Sequence, residues 1–180
     1  MEFIPYILRR IKGKEKTLGE KNKVDSRSML GEAGDTEKDV NADRAKLWLR
    51  RGASIATSDI DLVEHVKYWA VEDLKASLIE AKLTKQSSVD GLEDIINQIQ
   101  RKCDIVKEKG AIQQPSLMII LSIDTDVEPR TPSIGKFAKV FRSFIQHEHG
   151  VVSVVFCKNL NLVGDFELAR NLVRMDVRRS

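Results

Sequence analysis

The 180-residue sequence has only two cysteines, Cys103 and Cys157, far apart and each in an apolar-patterned stretch. That leaves no disulfide framework and points to two buried thiols in a reducing compartment. No Asn-x-Ser/Thr sequon occurs, and no apolar run approaches the ~18–20 residues of a membrane span. Strong charge of one sign is missing too, since 30 basic against 27 acidic side chains leave a net +3. So even a balance does not announce a nucleic-acid binder, and electrostatic arguments must come from where the charges sit. There is no Gly-x-Ser-x-Gly, Cys-x-x-Cys or Rossmann fingerprint, and TPSIGKF lacks the first Gly and the Ser/Thr after Lys of a phosphate loop. These absences describe an intracellular protein without a recognisable catalytic motif.

Apolar residues at 42% and charged residues at 32% suit a globular chain with a real core. The length allows one ordinary domain plus a tail. Residues 12–42 carry glycines, many charges and few apolar side chains, too little to offset the entropy of ordering. They read as a flexible linker, so the expected division is 1–42, a basic amphipathic N-terminus plus linker, and 43–180, a single α+β domain.

Within that domain 43–110 reads as helical. A short helix runs to about Arg51. A long one starts at an N-cap Ser58, with Val63, Val66, Ala70, Leu74, Leu78 and Ala81 at helical spacing. After a turn at 84–88, a further helix carries Leu92, Ile95, Ile96, Ile99, Cys103 and Val106 and ends at Gly110. The spacing through 92–96–99–103–106 is close to a heptad seam, which leaves homo-oligomerisation open. The last two helices predict an αα-hairpin. From 115 the period changes to βαββα. SLMIILSI (116–123) and VVSVVFC (151–157) predict buried strands, parallel if they pair directly. Ser133 starts a helix between them, LNLV offers a third strand, and Asp165 caps a last helix. The predicted architecture is an αα-hairpin packed on this small sheet unit.

Few residues suggest chemistry. Asp124 and Asp126 follow an apolar strand, where carboxylates can hold a hard cation for a metal-dependent hydrolase. Supporting ligands are missing, and isolated Asp-x-Asp is a common turn pattern. His147 and His149 close a helix where imidazolium suits the last carbonyls. His65 has no nucleophile to serve. The expectation is no catalytic residue, no metal site and no cofactor. The helix KFAKVFRSFIQ is more informative, because Lys136, Lys139 and Arg142 form a basic ridge beside the phenylalanines. With Arg170, Arg174, Arg178 and Arg179 they are candidates for binding an anionic partner, the phosphates of lipid head groups or of RNA, a nucleoprotein or a protein, and they leave a cytosolic nucleic-acid-binding or regulatory protein as the alternative reading. No aromatic platform for stacking single-stranded bases accompanies them.

The N-terminus, MEFIPYILRRIKGKEK, places an apolar patch directly before a cationic block. Phe3, Ile4, Ile7 and Leu8 would enter a head-group boundary while Arg9, Arg10, Lys12, Lys14 and Lys16 face anionic lipid. This opening, with LRRIKGKEK and the polar stretch behind it, resembles the starts of small matrix and accessory proteins of negative-strand RNA viruses. The resemblance covers about the first 30 residues. It implies a non-enzymatic assembly protein that bridges membrane and nucleoprotein, at the cytoplasmic face of a membrane and in the virion. No Pro-Pro-x-Tyr or Pro-Thr-Ala-Pro budding motif is present.

Overall fold

The computed structural model describes residues 40–109 and 115–175. The chain divides into two units, 1–47 and 48–180, slightly beyond the expected boundary. A helix, α1, covers 40–50, so residues 40–42, expected in the linker, are already helical.

Among its described residues the second unit mixes helices with one sheet, as expected of an α+β chain, and the five strands run parallel. The strands are β1 (Ser54–Thr57), β2 (Ser77–Leu83), β3 (Leu117–Ile123), β4 (Val151–Phe156) and β5 (Leu172–Met175). They lie in the order β2-β3-β4-β1-β5. Between them come α2 (Ile60–Glu72), α3 (Val89–Lys109), α4 (Pro132–His147) and α5 (Asn161–Asp165).

The expected αα-hairpin is not formed, because Ser77–Leu83 is a strand between its two helices. Leu74, Leu78 and Ala81 fit a helical stripe, yet SLIEAKL fits period two equally well, burying Ile79 and Leu83 and exposing Glu80 and Lys82. Pairing with β3 along its whole length decides between them. Lys75, at φ 56°, turns the chain out of α2 before the strand begins. The N-cap of α2 is Asp59, one residue past the expected Ser58, with its carboxylate accepting from the Asp61 N–H.

Three further segments also differ from the expectation. SIAT is only four residues long and shows no alternation, because both its faces are buried. LNLV was expected as a strand, but Asn161–Asp165 is a short helix. The expected last helix from Asp165 is instead a 3₁₀ turn, Ala169–Asn171, followed by β5. The β3–β4 pair is parallel as expected, from Leu117↔Val151 to Ser122↔Phe156.

Strand alternation assigns the layers. Leu117, Ile119, Leu121 and Ile123 of β3 belong to a cluster shared with Leu92, Ile99 and Cys103 of α3 and Phe137 and Phe141 of α4. The seam of α3 is therefore spent on the sheet and α4, not on α2. Met118 and Ile120 point to the opposite face. Glu80, in register with Ile120, forms a 2.6 Å ion pair with Lys67, which puts α2 on that opposite face. The path explains the split. The chain crosses from β1 to the far edge over α2 and returns through β2, β3 and β4, and right-handed crossovers in opposite directions land on opposite faces. Buried Ser153 anchors the middle, donating its hydroxyl to the Ile119 carbonyl at 2.8 Å and its N–H to Ser54 Oγ at 2.9 Å. At the start of β4, Gly150 has φ 80° and its carbonyl accepts from Ser116 and Leu117, a conformation that suits glycine.

Candidate functional site

In open parallel sheets ligands favour the carboxyl ends of two neighbouring strands whose helices leave on opposite faces. Here those strands are β1 and β4: α2 follows β1 on one face, and the connection through Leu160, Val163, Phe166 and Leu168 follows β4 on the other. The Cys157 N–H donates to the Thr57 carbonyl at 3.1 Å, and buried Thr57 accepts from the Asp59 N–H through Oγ1 at 3.0 Å.

The charged recess lies beside α4. Its apolar residues Ile134, Phe137, Ala138, Phe141, Phe144 and Ile145 are buried against the sheet. A helix advances about 100° per residue, so cations three apart drift by about 60° each, and Lys136 and Arg142 end roughly 120° apart. The expected ridge is therefore split. Lys136 lines a groove between α3 and α4 with Leu92, Ile96 and Phe137, whereas Lys139 is exposed to solvent. Arg142 leans the other way, toward the segment after α5.

That segment is built tightly. The end of α5 is closed by the Glu167 N–H on the Gly164 carbonyl and the Leu168 N–H on the Val163 carbonyl, while Glu167 takes φ 59°. Glycine usually holds such a left-handed cap. Val163, Phe166 and Leu168 pin the segment into the core. Arg142 Nη1 then donates to the Glu167 main-chain carbonyl at 3.0 Å and approaches its carboxylate at 3.4 Å. The Arg142 side chain is 24% exposed and that of Glu167 82%. Beside this pair opens a polar pocket of about 490 Å³, lined by Arg142, Gln146, Gly164, Glu167, Arg170 and Asn171. Two guanidiniums, two carboxamides and one carboxylate at a solvent-open recess can hold a small anion through charge-assisted hydrogen bonds.

Of the predicted residues the structure thus brings together Arg142 and Arg170. Arg174, on β5, lines a separate hollow with Ala56, Leu160 and Leu172. Arg178 and Arg179, the N-terminal residues 3–16 and the expected linker as far as 39 lie outside the described residues. Gln146, Glu167 and Asn171 were missed, because nothing in the sequence signals that α4 and the segment after α5 meet. Asp124 forms a 3.6 Å ion pair with Lys82, and Asp126 is exposed. Among the described residues no group of three metal-ligating side chains occurs, and no helix is long and apolar enough to cross a membrane. His65 and His147 are exposed at the surface.

Both cysteines are free and buried, as their surroundings in the sequence imply. Burial, with the Glu148 charge adding to it, pushes the Cys103 thiol up to about 11, and burial raises Cys157 as well. At pH 8 only roughly one Cys103 in a thousand is the reactive thiolate. Ellman's reagent at that pH is expected to label neither thiol of the native protein on the timescale that labels both in denaturant. Stoichiometric labelling of the native chain at a comparable rate would contradict the burial of Cys103 and Cys157.

No family model matches the chain, and no curated protein matches its sequence.

Proposed function

We propose that the chain is a non-enzymatic interaction protein of the matrix-like assembly type. Its α+β body takes an anionic group of a protein or nucleoprotein partner at the Arg142–Arg170 pocket, while the apolar and basic segment 3–16 engages an anionic membrane surface. The observation that carries this reading is the convergence of Arg142 and Arg170, from different elements, on one polar pocket. Arginine suits such a task, since its fork of donors meets an oxyanion at two points. For the N-terminal part the support is the sequence itself. Four apolar side chains precede five cations, and each cation is worth ~1 kcal/mol at an anionic surface.

Co-sedimentation of the full chain with phosphatidylserine vesicles and, in parallel, with RNA tests both halves. Vesicle pelleting is expected at low salt and should fall steeply toward 1 M, where the Debye length shrinks to ~3 Å. Deleting residues 1–16 should abolish pelleting and leave a folded body. A deletion variant that unfolds or aggregates would end the anchor reading. For the body, Arg142→Gln with Arg170→Gln should lower partner capture at least tenfold without lowering Tm. Inorganic phosphate bound at full strength by that double variant would overturn the pocket's role.

A further inference from the structure

We propose that the Arg142–Arg170 pocket is a site for a phosphate monoester dianion, and that the Glu167 carboxylate is the internal counter-ion which such a ligand displaces. The inference rests on the pocket reading above and names its ligand. Glu167 holds Arg142 through two different groups. Its carbonyl, at 3.0 Å, belongs to the backbone and stays when the side chain moves. Its carboxylate, at 3.4 Å, is on a side chain 82% exposed and free to swing into solvent. One bond therefore positions the guanidinium, and the other occupies it.

The geometry of the backbone fits this division. Glu167 sits at φ 59°, where a residue with a side chain is disfavoured and glycine or asparagine is usual. Strain of this kind is a starting point for a functional inference. A glycine there would close α5 equally well, but it would leave Arg142 without its resident anion. Counting formal charges, Arg142, Arg170 and Glu167 leave the recess one positive charge while occupied and two once the carboxylate swings away. A monoanion such as a phosphodiester only replaces one unit charge by another. A monoester carries close to two negative charges at neutral pH and offers three acceptor oxygens, which two guanidiniums and the carboxamides of Gln146 and Asn171 can share. The selectivity is therefore for terminal phosphate over the diester backbone of a nucleic acid.

The test is an NMR titration of the full chain, following the arginine side-chain N–H signals with inorganic phosphate, a phosphoserine peptide and dimethyl phosphate. Inorganic phosphate and the phosphopeptide should each bind at least tenfold more tightly than dimethyl phosphate. For the phosphopeptide the preference should collapse as pH falls through about 6, where the phosphomonoester dianion takes up one proton and becomes a monoanion. Tighter binding of the phosphopeptide than of free phosphate would identify a phosphorylated side chain as the source, and equal binding a free ion. Glu167→Gln keeps the carbonyl contact and removes the competing charge, so it should tighten phosphate binding severalfold. Arg142→Gln should abolish it. Equal affinity for monoester and diester, or a Glu167→Gln variant that binds phosphate no better, would overturn the inference while leaving an anion pocket standing. Loss of all response at Arg142 and Arg170 to every anion would instead remove the pocket reading itself.

Discussion

Ile99→Asn is expected to unfold the body of the protein. Ile99 is fully buried on the face of α3 that meets the sheet and α4. Removing an isoleucine side chain from such a site costs about 2–5 kcal/mol, and a carboxamide left without partners adds about 1–3 kcal/mol. Domains of this size have total stabilities of about 5–15 kcal/mol. The substitution therefore consumes most of the margin. Circular dichroism of the purified variant should show loss of the cooperative transition, or a midpoint so low that unfolded chain dominates at 25 °C. A folded Ile99→Asn monomer from an oligomeric parent would mean that the α3 seam is an interface between copies, contrary to its packing on β3 and α4.

Phe141→Ala should be nearly as damaging. Phe141 is the largest of the fully buried side chains, and its ring stacks on Phe137 at 6.0 Å between centroids and 13° between planes. Truncation leaves a cavity that neighbours on β3 and β4 cannot close without shifting strands held on both sides, so the cost should be about 3–5 kcal/mol. Urea unfolding should show the midpoint falling with the slope unchanged, since the surface exposed on unfolding hardly differs. A loss under about 1.5 kcal/mol would mean that α4 is not seated on the sheet as described. Because Arg142 follows directly in the chain, the variant should also weaken anion capture, whereas Arg142→Gln should weaken capture alone.

The sequence was most legible where one period ran long enough to exclude the other. The stretch 116–123 is a continuous apolar run that fits a doubly buried strand by its length and its bounds at Pro115 and Asp124, and the stripe from Ile134 to Ile145 recurs at helical spacing. Reading failed where elements were short or half-buried. Leu78 and Ala81 continue the α2 stripe by spacing alone, and only the ladder to β3 makes Ser77–Leu83 a strand. LVRM is only four residues long and carries Arg174 among them, so its β character comes from pairing with β1 rather than from any long pattern of its own. The same limit governed the site. Arg142 and Arg170 could be singled out by charge, but Glu167 lies in a segment read as helix, and its contact with Arg142 exists only once the chain has folded back.

The place of β1 in the sheet has a consequence for how the protein is made. Among the described strands Ser54–Thr57 is made first, yet both its neighbours, β4 and β5, are made last. Ser54 meets Ser153 across a separation of 99 residues. Contacts so distant in sequence are the slow ones, because the intervening loop must close before any pairing rewards it. β2 and β3 can zip together as soon as β3 itself is out, but the backbone of β1 stays unpaired until β4 has been synthesised. A nascent chain halted before residue 150 would therefore leave that strand unpaired, and commitment to the native sheet waits until β4 and β5 have been made.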